Sequence, residues 1–312
     1  MQQATSNDPP SGWWRRWWPQ RPAAVPAAES VSALPAQFGR FQVTGLLGRG
    51  ASGQVFVAQA AGQRVAIKTL ELSAALPPRE QSEQRERFER QAEVMRGLAH
   101  PDIVRLLDQG SVGATPWIAM ELATGAELSR YTRANRLLPE AVVLHIIARV
   151  AGALAHAHSR GVVHRDLKPA NVRIDLGEDR IKLLDFGVAR LEDAAVTRTG
   201  VTLGTPAYMA PEQLTGDHAD ARSDIYALGV MLYELLSGRL PHPAATLGEL
   251  LRAVSAGEPV PLGHWRPDLP AGLAQLVSSL LQRDPAARPQ DLHRLAADLL
   301  QWADELPRPA PP

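Results

Sequence analysis

The residues best suited to chemistry stand in two short segments near the middle of the chain. HRDLKPAN, from His164 to Asn171, places an acid, a base and an amide within six residues, and DFG begins at Asp185. Asn171 and Asp185 supply the hard oxygen atoms that Mg²⁺ accepts beside phosphate oxygens. Either segment alone could be a turn, but together and in this order they indicate a site for a phosphate compound and a metal ion.

Two earlier segments have the features of a phosphate-binding wall. GRGASGQV carries glycines at positions 48, 50 and 53, and a main chain without Cβ atoms can approach a phosphate chain closely. A strand-like run follows it instead of a helix, which disfavours a dinucleotide site. VAIK ends an apolar strand at Lys68, so we expect its ammonium to point into a cleft instead of into solvent.

The elements that position these segments fall into two groups. From Phe41 to about Val112 the chain has short, alternating strand-like runs with one charged helix among them. After PWIAMELATG it becomes mainly helical, with a connector near residues 121–125. These patterns predict two lobes of different class, the first a sheet with one helix and the second mostly helical.

Composition excludes several kinds of protein. The 312 residues are 45% hydrophobic, which is enough for a substantial core. Lys plus Arg total 33 and Asp plus Glu total 33, so no net charge recruits nucleic acid, and we expect no nucleic-acid partner. The chain has no cysteine, which excludes disulfides, thiolate nucleophiles and cysteine metal sites.

No stretch reads as a membrane span. We take DIYALGVMLYELLSG as the most apolar long stretch, and Glu234 interrupts it before the 18 or so residues that a spanning helix needs. The sequence therefore predicts a soluble, cytoplasmic protein without a transmembrane segment.

Residues 1–37 form a tail rich in proline and alanine. Its tryptophans are Trp13, Trp14, Trp17 and Trp18, clustered around two arginines. The tail is either disordered, with aromatic rings packed loosely on the folded domain, or it docks on a membrane surface or a partner. Residues 306–312 are expected to be a frayed terminus.

These motifs, followed by GTPAYMAPE and SDIYALGVMLYELLSG, resemble those of eukaryotic-like protein kinases, in order, over about residues 41–302. With Lys168 and Thr205 at these positions, the chain resembles the serine/threonine branch of the family. Ala170 within HRDLKPAN resembles the bacterial members of that branch. The resemblance implies an α+β, two-lobed kinase fold over residues 38–305. Its small N-terminal lobe, about 38–120, would have an antiparallel sheet and one main helix, and its larger lobe, about 125–305, would be mainly helical.

The same resemblance implies transfer of the ATP γ-phosphoryl group to serine or threonine hydroxyls of protein substrates, with Mg²⁺ as the metal and Mn²⁺ as an alternative. A weakly active or inactive kinase-like scaffold that binds a partner is the other reading. Asp166 would accept the hydroxyl proton, Lys168 would steady the γ phosphate and Lys68 would bind the α and β phosphates. Thr205 joins this catalytic set. The implied nucleotide-binding residues are Leu47, Gly48, Gly50, Gly53, Val55, Ala66, Lys68, Met120, Glu121, Ala123, Glu127, Asn171 and Asp185, with Asn171 and Asp185 as metal ligands and Glu127 at the ribose.

Control and support residues follow from the resemblance too. Arg165 would pair with a phosphate on the activation segment, where Thr197 and Thr199 are the expected autophosphorylation sites and Thr202 a weaker one. Two structural contacts are also expected. Glu212 would pair with Arg288, and Asp224 would anchor the main chain of the catalytic loop.

Two residues depart from the family pattern. The charged helix has an apolar stripe of Phe88, Ala92, Met95 and Leu98, and Gln91 falls inside it. Kinases have a glutamate at this position that pairs with the strand lysine, so we expect the Gln91 amide oxygen to accept a hydrogen bond from Lys68. On that basis Gln91→Glu would keep or raise activity. Arg173 stands where relatives have an apolar floor beneath adenine, and its stem or guanidinium plane could still stack on the base.

Overall fold

The computed structural model describes residues 35–50, 53–73, 76–186 and 206–306. Several residues singled out above lie outside these ranges: Trp13, Trp14, Trp17, Trp18, Thr197, Thr199, Thr202 and Thr205.

The N-terminal lobe is an antiparallel sheet of six strands with the order β1-β2-β3-β4-β6-β5. The strands are β1 Gln37–Phe38, β2 Phe41–Gly50, β3 Gly53–Ala60, β4 Gln63–Thr69, β5 Leu106–Val112 and β6 Thr115–Glu121. Side chains alternate across β4. Val65 and Ile67 join an outer apolar cluster with Trp117, whereas Ala66 and Lys68 line the cleft on the other face.

Helix α1, Pro78–Arg96, packs against β5 and β6. It begins with proline, whose fixed φ suits the first turn of a helix. Phe88, Ala92 and Met95 are buried, which confirms the predicted apolar stripe. Gln91 lies partly buried beside that stripe, so its amide is within reach of the protein interior.

The second lobe is mainly helical. Its helices are α2 Glu140–His158, α3 Pro211–Thr215, α4 Ala221–Ser237, α5 Leu247–Ala256, α6 Leu262–Trp265, α7 Ala271–Leu280 and α8 Leu292–Glu305. A small antiparallel sheet of β7 Ala126–Glu127, β8 Val172–Asp175 and β9 Arg180–Leu183 faces the first lobe's connector. The predicted α+β class with two lobes is confirmed.

Helix α2 forms the centre of this lobe, between α4 and α8. It is also the one helix in the described part of the chain with the length and apolarity of a membrane span, and most of its residues are buried by the protein itself. A helix that is apolar all round is typical of a core position in a large domain. The prediction that DIYALGVMLYELLSG is the most apolar long stretch was therefore wrong, because α2 is longer and has the hydropathy of a span although His145 and Arg149 lie within it.

The close packing of α4 on α7 generates a stability prediction. A Cβ added at Gly229 would lie 2.6 Å from the Cβ of Leu280 and 3.3 Å from the Cδ2 of Leu281. We expect Gly229→Ala to lower the free energy of unfolding by about 1–3 kcal/mol, because an overpacked core must shift. Urea denaturation followed by tryptophan fluorescence measures the change.

Gly248→Ala is the matched control. Gly248 is exposed on α5, with no described atom within 4 Å of an added Cβ, so alanine should raise the free energy of unfolding by up to about 1 kcal/mol. Equal effects of the two substitutions would contradict the close α4–α7 contact.

Candidate active site

A cleft of about 320 Å³ lies between the N-terminal sheet and the second lobe. Of the predicted nucleotide-binding residues, the structure brings these to its walls: Leu47, Gly48, Gly50, Val55, Ala66, Lys68, Met120, Glu121, Ala123, Glu127 and Asp185. Gly53 and Asn171 lie outside this lining. Sequence reasoning missed Arg49, Val104, Leu122, Ala170 and Leu184, which also line the cleft. Val104 and Leu184 carry no signal that separates them from core residues.

The three glycines of the first segment have different reasons to be glycine. Among described atoms, nothing lies within 4 Å of a Cβ added at Gly48, and at Gly50 only the Gly53 carbonyl oxygen does, at 3.9 Å. At Gly53, where φ is +147°, a Cβ would lie 1.9 Å from the carbonyl oxygen of Thr69. Gly48 and Gly50 therefore leave room above the cleft, whereas Gly53 is required by the packing of β3 on β4.

Lys68 and Asp185 form an ion pair across the cleft. The Lys68 ammonium lies 2.5 Å from Oδ1 of Asp185. Desolvation by the surrounding protein raises the pKa of Asp185, but Lys68, with smaller contributions from His164 and Lys168, more than offsets it, so this pKa lies below its ordinary value. The carboxylate is therefore ionised at neutral pH and suited to a cation.

The predicted hydrogen bond from Lys68 to Gln91 does not form between the described side chains. Gln91 instead donates from Nε2 to the main-chain oxygen of Phe186, at 3.2 Å. The ammonium faces the full negative charge of Asp185, and the Gln91 amide is held by its own hydrogen bond to the main chain of Phe186.

The segment HRDLKPAN, His164 to Asn171, forms a compact polar group. Lys168 donates to both carboxylate oxygens of Asp166, at 3.2 and 2.9 Å. The Asn171 amide nitrogen donates to the main-chain oxygen of Asp166 at 2.7 Å and to its Oδ2 at 3.3 Å. This fixes the amide and leaves its oxygen as the atom available to a metal ion. With the carboxylate of Asp185, the donor set is the hard oxygen chemistry that fits Mg²⁺.

A buried carboxylate holds this segment in place. Asp224, at the start of α4, is 1% exposed and accepts hydrogen bonds from the main-chain amides of His164 and Arg165, each at 2.8 Å. His158 lies 2.7 Å from the same carboxylate. The predicted anchoring of the loop by Asp224 is therefore confirmed, and His158 is an additional partner that sequence reasoning missed.

A second buried pair supports the same lobe. The guanidinium of Arg288, with its side chain fully buried, contacts both carboxylate oxygens of Glu212 at 2.8 and 2.9 Å. Desolvation raises the pKa of Glu212, but hydrogen bonds from Arg288 and Ser223 more than offset it, so the pKa is below its ordinary value. The predicted pairing of Glu212 with Arg288 is confirmed.

The described hydrogen bonds of Arg165 are made by its main chain. Its carbonyl oxygen accepts a hydrogen bond from Gln213 at 3.0 Å, and its φ is +64°. Its buried Nε has no hydrogen-bond partner among the described residues. A buried cationic donor of this kind is suited to an anionic acceptor.

Arg173 lies on β8 opposite Glu127 on β7, and both residues line the cleft. Its guanidinium donates to the carbonyl oxygen of Gly125 at 3.2 Å and lies 3.5 Å from a carboxylate oxygen of Glu127. The charged end is therefore tied to the neighbouring strand, and the aliphatic stem is the part of Arg173 that can form the cleft floor.

Comparison with known proteins finds protein kinases, both by family profile and by sequence relatives. A profile described as the protein kinase domain matches residues 41–301. Serine/threonine-protein kinase pkn2 of Myxococcus xanthus is 39% identical over 270 residues, which are 83% of this chain and 32% of pkn2. Serine/threonine-protein kinase PrkC of Bacillus subtilis is 34% identical over 265 residues, 84% of this chain and 40% of PrkC. The chain thus spans less than half the length of these curated relatives.

Solved structures agree with the sequence relatives. The crystal structure of the PknI kinase domain of Mycobacterium tuberculosis matches with a TM-score of 0.67 and 33% identity, and the match covers 87% of this chain and 100% of that domain. The likeness therefore extends over both lobes of the described fold.

The Asp224 anchor generates a second stability prediction. We expect Asp224→Asn to lower the free energy of unfolding by about 2–3 kcal/mol, because an amide NH₂ would face a buried main-chain amide that needs an acceptor. Asp291→Asn, at the exposed N-cap of α8, is the control and should change stability by less than about 0.5 kcal/mol, since asparagine is an equally good N-cap. Urea denaturation of both variants measures the difference, and equal losses would contradict the anchoring role.

Proposed function

This chain belongs to the protein kinase family, and on that premise we propose that it transfers the γ-phosphoryl group of ATP to serine and threonine hydroxyls of protein substrates. The observation that carries the proposal is the arrangement of two groups. Lys68 and Asp185 pair across the cleft. Asp166, Lys168 and Asn171 form a hydrogen-bonded group that the main chain of Leu184, the residue before Asp185, contacts. Phosphoryl transfer depends chiefly on positioning and on charge stabilisation, which this set supplies. With these residues all present, we favour the enzyme over the scaffold reading.

The residues of the site have the following proposed roles in the reaction. Asp166 orients the acceptor hydroxyl and receives its proton, while Lys168, 2.9 Å away, offsets the negative charge near the transferred group. Lys68 exchanges its contact with Asp185 for the α and β phosphates. Asn171 and Asp185 would hold the divalent metal, which neutralises phosphate charge; we propose Mg²⁺, with Mn²⁺ as the alternative.

The base and ribose would meet the other end of the cleft. The Glu121 carboxylate is engaged by Lys182 at 2.6 Å and by the amide of Arg105 at 2.8 Å, so we propose that adenine contacts the main chain here. The aliphatic stem of Arg173 would form the floor beneath adenine. Glu127, which pairs with the Arg173 guanidinium, would contact the ribose.

The choice of serine and threonine rests on two points. Lys168 stands two residues after the catalytic acid, as in the serine/threonine branch, and the bacterial relatives above are named serine/threonine-protein kinases.

We also place the chain in the cytoplasm, where ATP is available. Docking through Trp13, Trp14, Trp17 and Trp18 stays a prediction.

The proposed reaction is tested with Asp166→Asn. We expect phosphate incorporation from γ-labelled ATP and Mg²⁺ into a serine/threonine substrate to fall by at least about 10²-fold, because the variant loses the group that orients the hydroxyl and takes its proton. Asp175→Asn, on β8 beyond the cleft lining, is the control and should keep wild-type incorporation. Equal incorporation by wild type and Asp166→Asn would count against catalysis by this chain.

A separate prediction concerns control of the site. We propose that Thr197 and Thr199 are autophosphorylated and that Arg165 pairs with the resulting phosphate, since its buried Nε lacks a partner among described residues. Peptide mass spectrometry after incubation with Mg²⁺ and ATP should find both threonines modified in wild type and neither in Asp166→Asn. Spectra that show both unmodified in an active preparation would overturn this proposal.

A further inference from the structure

Gln91 connects helix α1 to the segment that carries the metal ligand. Its Nε2 lies 3.2 Å from the main-chain oxygen of Phe186, the residue after Asp185. Phe186 itself is fully buried, with its ring 4.8 Å from that of His164. The contact therefore joins the helix of one lobe to a segment that is firmly packed in the other.

The atom that faces Gln91 determines which side chain can serve there. A carbonyl oxygen only accepts hydrogen bonds, so its partner must donate. An ionised glutamate has the length of glutamine but has no donor, and its carboxylate would repel the carbonyl oxygen. The Lys68 ammonium, meanwhile, already has the Asp185 carboxylate at 2.5 Å. Glutamine at this position is thus explained by Phe186 and not by Lys68.

We propose that Gln91 is a positioning residue whose amide N–H holds the main chain at Phe186, and thereby the carboxylate of Asp185, in place for the metal. This inference rests on the proposed function. Helix α1 thus contacts the main chain of Phe186 through Gln91, in place of the expected contact between Gln91 and Lys68. Gln91→Glu, which would be favourable if Gln91 were an acceptor for Lys68, becomes unfavourable because the donor is lost.

Two variants of equal length separate these roles. Gln91→Glu removes the donor, keeps an acceptor and adds a charge, whereas Gln91→Met removes both the amide donor and the amide acceptor without adding a charge. We expect both to lower kcat by about tenfold, the equivalent of one hydrogen bond, and to raise the Mg²⁺ concentration for half-maximal activity. KM for the protein substrate should not change. Glu89→Gln, on the exposed face of the same helix, is the control and should behave as wild type.

A readout without catalysis keeps the inference distinct from the proposed function. Hydrogen–deuterium exchange of peptides that cover residues 86–96 and 182–186 should be faster in Gln91→Glu and Gln91→Met than in wild type and Glu89→Gln. That result stands even if no preparation transfers phosphate. Exchange rates equal to those of wild type in both variants would overturn the donor role. So would a Gln91→Glu variant with both the exchange rate and the activity of wild type.

Discussion

The ion pair between Lys68 and Asp185 is the interaction on which the site depends, because it joins the N-terminal sheet to the second lobe across the cleft. The Lys68 and Asp185 side chains are 21% and 40% exposed, so each charge is partly removed from water and is stabilised by the other. The pair therefore fixes β4 relative to the segment 184–186. It also resembles the bound state electrostatically, since phosphate oxygens can replace the carboxylate and a metal ion can replace the ammonium.

The pair can act as a reference point only because the second lobe holds its half rigidly. The main-chain amide of Leu184 donates to the carbonyl oxygen of Asn171, and His164 lies 2.9 Å from the carbonyl oxygen of Leu184. The catalytic loop is in turn anchored by the buried carboxylate of Asp224 at the start of α4. In the second lobe, the side chains proposed to do the chemistry therefore lie on short loops, and the packed helical core holds those loops in position.

Much of this arrangement could be predicted from the sequence, because it depends on local patterns. The stripe of α1, the lysine at the end of an apolar strand and the loop anchor at Asp224 each follow from spacing or from the family motif. The partner of Gln91 could not be predicted, because the family motif directs this side chain toward Lys68 and only the packed structure shows its amide nitrogen against the Phe186 carbonyl oxygen. The role of Gly53 likewise depends on the distance to Thr69 across a strand pair.

A crystal structure of the chain with Mg²⁺ and a non-hydrolysable ATP analogue tests the account most directly. We expect the analogue to fill the cleft, Lys68 to leave Asp185 for the phosphates, and Asp185 and Asn171 to bind the metal. Gln91 should remain within hydrogen-bond distance of the Phe186 carbonyl oxygen. An analogue bound elsewhere, or Lys68 still paired with Asp185 and no metal at Asn171, would contradict it.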